Sequence, residues 1–287
     1  MRVPRVCQAV CHSGQNAEAL ELLKSGYAVR LPESSLPSLP ENLRQAVSNW
    51  PNLSLGTKNP SWSGNGRRLK PHRFVQSPCA NEFESYLCDF QKKSSEVLKL
   101  VLGFQDQYLH SDRVTWRPYE LATVSRRWNA RDDLFHIDSF SSRPTNGRRI
   151  LRLFFNASST DSVVWSHTFN LKQYIENGFF HSLRQNSQVA SDSTFDGWLS
   201  RVHDQMKRNE QFQETAPRVL HRFAPGDSWV ALTDACLHSH LRGEWLMDAS
   251  WFVSCPALMQ SEYAPLACFK GLSTPSAILE VFSRKAA

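Results

Sequence analysis

HIDSFSSRPTNGRRILRLFFN, residues 136–156, contains two extended runs joined by a turn. Leu134–Phe140 and Ile150–Asn156 are rich in aliphatic and aromatic residues. Between them, Ser141–Gly147 concentrates Ser, Pro, Asn and Gly, which punctuate strands. Side chains of a strand alternate between its faces, so a strand over Leu134–Phe140 points His136 and Asp138 the same way. An imidazole and a carboxylate then converge on one point. The second run divides likewise, with Ile150, Arg152, Phe154 and Asn156 on one face and Arg149, Leu151, Leu153 and Phe155 on the other.

Further strands are predicted outward from this pair at Val114–Trp116, Tyr119–Val124, Val163–Phe169, Val219–Phe223, Ser228–Leu232 and Trp245–Val253. Short strands at close intervals indicate a sandwich or barrel. Helical periodicity interrupts them at Leu171–Arg184 and Phe195–Lys207. Upstream, helices are expected at Asn16–Ser25, stopped by Gly26, at Glu41–Val47, closed by Pro51, and at Glu82–Leu102, where Phe83, Leu87, Phe90, Val97, Leu98 and Val101 recur at helical spacing. The Pro/Ser-rich connector Leu31–Pro40 forbids a regular helix. The expected plan is one mainly β domain over 1–287: a mostly helical part at 1–110, and a β core at 111–260 with a helical insertion at about 171–207.

With 287 residues, 41% of them hydrophobic, the chain buries a substantial core. No early segment pairs a basic start with an apolar run of roughly 7–15 residues, and none approaches the ~20 apolar residues that span a bilayer, so a cytoplasmic protein is expected. The seven cysteines are odd in number and scattered, and form no C-x-x-C pair, which fits reduced thiols. The net charge of +6 favours an anionic partner. Arg67, Arg68, Lys70, His72 and Arg73 form the densest basic run, readable as a solvated loop or an anion-binding patch. It holds no aromatic residue, which argues against nucleic acid. The oligomeric state carries no sequence signal.

The His136/Asp138 pair needs a third ligand to form the 2-His-1-carboxylate set that leaves positions open on iron. His167, His181, His203, His221, His238 and His240 are the candidates. His238 stands out because it follows a clear strand; His240 competes if the backbone is extended there. An H-x-D spacing alone is weak, since a histidine on a strand is more often hydrogen-bonded than metal-bound.

From Trp116 onward, Trp116-Arg117-Pro118, His136-Ile137-Asp138-Ser139-Phe140, Ser142-Arg143-Pro144, Gly147–Phe154 with Asn156, and Thr233-Asp234 leading to His238 form a pattern that resembles the Kdo 3-hydroxylase family. These enzymes use iron and 2-oxoglutarate to hydroxylate the 3-deoxy-manno-octulosonic acid (Kdo) sugar of lipid A precursors. The resemblance implies a double-stranded β-helix of the jelly-roll kind. It also implies His136, Asp138 and His238 as iron(II) ligands, 2-oxoglutarate chelating the metal through its 1-carboxylate and 2-keto oxygens, and O2 at the remaining position.

The far carboxylate of 2-oxoglutarate calls for a planar cationic fork. Relatives often place a basic residue shortly after the distal histidine, but here Arg242 is too close and the next is Lys270. Arg152 is therefore the expected partner, with Arg149 in reserve and Asn156 as an orienting amide. Arg143 and Arg148, in and beside the turn, either hold the substrate's carboxylate or phosphates or are solvated. Asp234 is either a partner of a ligand histidine or a surface turn residue. Trp116 and Trp128 are assigned to packing. The expected partner is a Kdo-bearing lipid A precursor, reached by peripheral contact with the anionic inner face of the cytoplasmic membrane, with Arg67–Arg73 as the docking element. The competing readings are a 2-oxoglutarate oxygenase acting on a protein side chain or small metabolite, and a non-catalytic jelly-roll module for an anionic ligand. A zinc hydrolase would need a general base that the pattern does not offer.

Overall fold

The computed structural model describes residues 7–8, 16–31, 36–48, 59, 61–63, 68–70, 79–118, 128–139, 143–180 and 194–273. Its strands are β1 (Cys7–Gln8), β2 (Val29–Arg30), β3 (Ser61–Ser63), β4 (Arg68–Lys70), β5 (Leu109–Arg117), β6 (Arg149–Asn156), β7 (Val163–Asn170), β8 (Val219–Phe223), β9 (Ser228–Leu232), β10 (Cys236–Arg242) and β11 (Leu246–Val253). The helices are α1 (Asn16–Lys24), α2 (Glu41–Ser48), α3 (Ala80–Leu102), α4 (Leu171–Glu176), α5 (Phe195–Arg208), α6 (Glu210–Thr215), α7 (Pro256–Met259) and α8 (Pro265–Ser273).

The major sheet runs β1-β2-β9-β6-β11-β5-β3-β4 and the minor sheet β10-β7-β8. Strand alternation gives the major sheet two faces. Leu151, Leu153 and Phe155 of β6 join Val230, Leu232, Met247, Ala249 and Trp251 in one core with Ala19, Leu23, Leu43, Phe83, Leu87 and Phe90 of the N-terminal helices. On the other face, Phe154, Trp229, Ala231 and Leu246 meet Val163, Trp165, Phe223 and Cys236 of the minor sheet, which makes the sandwich interior. A third core forms where Trp198, Leu199, Val202, Met206 and Phe212 of the helical insertion cover Phe169, Phe135, Ile137 and Leu237. The expected jelly-roll core with N-terminal helices and a helical insertion is the architecture found.

Several elements depart from expectation. Strand β5 starts at Leu109, earlier than its apolar run, because it keeps pairing with β11 through a bulge at Ser250/Trp251. Strand β10 was not foreseen, since CLHSHLR carries too many polar groups to look like a buried strand, and α6 lengthens the insertion. The described part of the expected strand, 134–139, is not one: only His136 makes a bridge, to His238, and Phe140 lies outside the described residues. Helix α4 ends at Glu176. The expected strand at 119–124 and the expected helical residues 181–184 lie outside the described residues, as does most of the basic run, of which only 68–70 are placed, in β4. Among the described residues, no helix is long and apolar enough to cross a membrane.

Candidate metal centre

The segment carrying His136 and Asp138 runs beside β10. His136 N–H donates to the His238 carbonyl (3.0 Å), His238 N–H to the His136 carbonyl (2.9 Å), and Asp138 N–H to the Thr233 carbonyl (2.7 Å). Even without a regular strand, side chains alternate: Phe135 and Ile137 are buried against the insertion, while His136 and Asp138 turn to the opposite side. Each of His136, Asp138 and His238 offers a ligand atom, and these atoms all lie within 4.8 Å of one another. The imidazole centroids of His136 and His238 are 4.6 Å apart. All three residues are buried.

Both histidines have their tautomer set by the backbone. His136 Nδ1 lies 2.8 Å from the Leu134 carbonyl and His238 Nδ1 lies 2.9 Å from the Cys236 carbonyl. A carbonyl only accepts, so each Nδ1 carries the proton and each Nε2 keeps its lone pair for a metal. Burial lowers the pKa of both rings, with Lys207 adding to the effect at His136 and Arg152 at His238. Neutral imidazole is the ligating form. At Asp138, burial pushes the carboxyl upward, but the Arg152 guanidinium bonded to it holds it well below the usual carboxylate range. The donor set is therefore two neutral nitrogens and one ionised carboxylate in a confined space. It fits iron(II), which that combination holds in one half of its coordination sphere.

Arg152 reaches into this space from β6. Its Nη1 donates to Asp138 Oδ2 (2.7 Å), and Nε donates to Asp248 Oδ1 (3.2 Å), with Nη2 on the same oxygen. Asp248 is in turn 3.2 Å from Arg117 Nη2, and Arg117 Nη1 is 3.9 Å from Asp132. A chain of alternating charges thus leads from the Asp138 carboxylate along the inner face of the major sheet. Sequence reasoning missed Asp248 and Arg117. The readable signal was a lone carboxylate in the apolar run LMDASWFV, in a neighbouring strand to the inner-face arginine of RILRLFFN.

Arg149 and Asn156, also expected at the cosubstrate, are committed elsewhere. Arg149 is buried and bidentate to Asp234, Nε to Oδ2 at 2.8 Å and Nη2 to Oδ1 at 3.0 Å, and its Nη1 donates to the Leu258 carbonyl at 3.1 Å. It faces away from Arg152, as strand alternation requires. Asp234 is accordingly neither a partner of His238 nor a surface residue. The Asn156 amide donates to the Asp161 and Phe223 carbonyls (2.8 and 2.9 Å) and its oxygen accepts from Ser158 N–H (3.0 Å). It ties loops at the end of β6 and has no donor left to orient a ligand.

Arg143 forms an ion pair with Asp112, which also accepts from Ser250 Oγ at 3.0 Å. Burial pushes its pKa down to about 10, with Arg152 acting in the same direction. Arg148 donates to the Thr145 carbonyl (2.9 Å) and lies over the Phe252 ring. His240 lies on β10 beyond His238, with its Nε2 3.1 Å from the Arg242 carbonyl, and stands outside the three-residue cluster. His167 and His221 bond each other (Nδ1 to Nε2, 2.8 Å). Trp116 packs edge-on against Phe83, and Trp128 lies beneath the Arg208 guanidinium.

A double-stranded β-helix with a His-x-Asp pair and a distal histidine converging between its sheets defines the iron(II)/2-oxoglutarate-dependent dioxygenases. The family model for 3-deoxy-D-manno-oct-2-ulosonic acid (Kdo) hydroxylase matches residues 7–275, and the chain belongs to that family. Among solved structures it is similar to the Kdo hydroxylase KdoO, described as a non-heme Fe(II) alphaketoglutarate-dependent dioxygenase. The cobalt(II) complex matches with a TM-score of 0.76 and 23% identity over 92% of each chain. The complex with alphaketoglutarate and Fe(III) gives the same values. The apo form matches with a TM-score of 0.74 and 21% identity over 93% of this chain and 94% of that one. No curated protein matches the chain by sequence.

Proposed function

We propose that this protein hydroxylates the Kdo sugar of a lipid A precursor at its 3-position, using iron(II), 2-oxoglutarate and O2. The observation that carries the reading is the convergence of two histidine Nε2 atoms, their tautomers fixed by the Leu134 and Cys236 carbonyls, with the Asp138 carboxylate. His136, Asp138 and His238 hold the iron. When bound, iron with 2-oxoglutarate and O2 supplies the oxidising chemistry, coupled to release of succinate and carbon dioxide.

The chain's own residues bind, orient and exclude water. Arg152 receives the far carboxylate of 2-oxoglutarate, a role suited to a fork braced by Asp248. The packed ring wall of Phe154, Trp165 and Trp229 keeps the space beside His238 dry. Arg143 and Arg148 meet carboxylate or phosphate groups of the substrate. Docking is peripheral and electrostatic, with Arg67–Arg73 against the anionic inner face of the cytoplasmic membrane, so membrane association weakens with added salt.

Incubation with Kdo-lipid A, iron(II), 2-oxoglutarate and O2, followed by mass spectrometry, tests the reading. One added oxygen atom on the Kdo unit is expected. Succinate release without oxygenated lipid would retain the dioxygenase and transfer its action to a protein side chain or small metabolite.

A further inference from the structure

We propose that the helical insertion positions the metal centre: a polar row on α5, together with Gln213 of α6, takes the place of a neighbouring strand and fixes the segment that carries His136 and Asp138. The proposal rests on the metal-site reading above and goes beyond it, because none of these residues is a ligand.

The segment has β10 on one side and, among the described residues, no strand on the other. Phe135 and Ile137 are fully buried, so their backbone groups need partners other than water. Gln213 supplies both bonds at Phe135: its Oε1 accepts from Phe135 N–H at 2.8 Å and its Nε2 donates to the Phe135 carbonyl at 2.9 Å. Paired N–H and C=O bonds to one residue are what an antiparallel strand provides at a hydrogen-bonded position. The same Nε2 donates to the Met206 carbonyl at 2.9 Å, which ties this side-chain substitute for a strand to α5.

Helix α5 continues the pattern. His203 Nδ1 donates to the Ile137 carbonyl at 2.6 Å, and Ser200 Oγ is 2.9 Å from Ser139 Oγ. Asp196 accepts from Thr145 N–H and Thr145 Oγ1, each at 2.7 Å, and from Asn146 N–H at 3.1 Å. Lys207 Nζ donates to the Asn129 carbonyl at 3.0 Å. Asp196, Ser200, His203 and Lys207 stand at i, i+4, i+7 and i+11, which puts them in one row along the helix. Their partners descend the chain in the opposite order, at 145, 139, 137 and 129. The helix therefore lies antiparallel to the ligand-bearing segment and grips it at intervals, while Trp198, Leu199, Val202 and Met206 anchor α5 in the core beside it.

A polar row beside an apolar row usually faces water. Here it is turned inward, with Lys207 buried and bonded. Because Phe135 and Ile137 flank His136, and Ile137 and Ser139 flank Asp138, any slackening of these bonds moves both ligand side chains. Gln213, His203 and Ser200 are positioning residues: they act through the backbone and through Ser139.

Cobalt(II) titration followed by visible absorption tests this on the full chain, with wild type, His136→Ala, Gln213→Leu, Ser200→Ala and Leu87→Ala. Leu87 is fully buried in the core shared by the N-terminal helices and the major sheet, which includes no residue of the ligand segment, α5, α6 or β10, so its truncation is a control for destabilisation alone. Gln213→Leu is expected to weaken cobalt(II) binding about tenfold or more and to shift its absorption spectrum, with helix content by circular dichroism retained. Leu87→Ala is expected to lower the melting temperature with affinity and spectrum unchanged. Wild-type affinity and spectrum in folded Gln213→Leu would overturn the proposal alone. If Gln213→Leu fails to fold, Ser200→Ala decides, since it removes one oxygen: a weaker affinity with a shifted spectrum supports the proposal, and wild-type values overturn it. Equal cobalt(II) binding by wild type and His136→Ala would overturn the metal-site reading and this proposal with it.

Discussion

Arg149→Met separates the two arginines of β6, which the sequence places three residues apart and on opposite faces. Arg149 and Asp234 are both about 1% exposed and joined by two bonds of 2.8 and 3.0 Å. Removing the guanidinium strands a buried carboxylate, and breaking such a pair from one side costs about 3–5 kcal/mol. For a domain of this size that lowers Tm by roughly 6 °C or more. The double variant Arg149→Met/Asp234→Leu removes both charges and is expected to recover most of the loss, because a buried ion pair replaced by apolar groups is often close to neutral. Urea unfolding gives the stabilities, and 2-oxoglutarate titration of the iron-loaded protein below its melting range is expected to show wild-type affinity. Unchanged stability in Arg149→Met, or a double variant no better than the single one, would refute the structural role. A loss of 2-oxoglutarate affinity in folded protein would return Arg149 to the site.

Arg152→Lys is expected to raise the KM for 2-oxoglutarate roughly 10- to 150-fold, the loss of one charged hydrogen bond, because an ammonium cannot span Asp138, Asp248 and a cosubstrate carboxylate; succinate formation against 2-oxoglutarate concentration measures it. Burial pushes His221 down to about 4 from its ordinary 6.5, so the unfolded chain takes up the proton first. Stability from this group is complete above about pH 6.5 and is lost as pH falls towards 4. His221→Gln is accordingly expected to show a smaller drop in Tm between neutral and mildly acid buffer than wild type does. Gly243→Ala places a Cβ 2.8 Å from Val163 Cα at positive φ and is expected to cost about 1–3 kcal/mol in urea unfolding.

Much of the site was legible because strand periodicity is a strong signal. The alternation of RILRLFFN separated Arg152 from Arg149, and the structure turns the first to the ligand space and the second to Asp234. His136 and Asp138 converge as their spacing implied, although the strand behind that inference is absent. What holds them was illegible: the partners of Phe135, Ile137 and Ser139 are side chains of Gln213, His203 and Ser200, distant in sequence, the first on the short α6 and the other two on α5, whose pattern is that of an ordinary amphipathic surface element. Asn156 was misjudged for a related reason. Its position on the inner face was right, but its amide is consumed by loop carbonyls that no periodicity reveals. Strand β10 escaped because its buried histidines and Ser239 make it read as polar.

The most direct measurement is succinate release from 2-oxoglutarate by protein reconstituted anaerobically with iron(II) and then exposed to O2, with and without Kdo-lipid A, in wild type, His136→Ala, Asp138→Ala and His238→Ala. Succinate that depends on the lipid in wild type and vanishes in all three variants is the expected result. Iron-loaded wild-type protein that never consumes 2-oxoglutarate, or variants that turn it over as wild type does, would contradict the assignment of these residues as a catalytic metal centre.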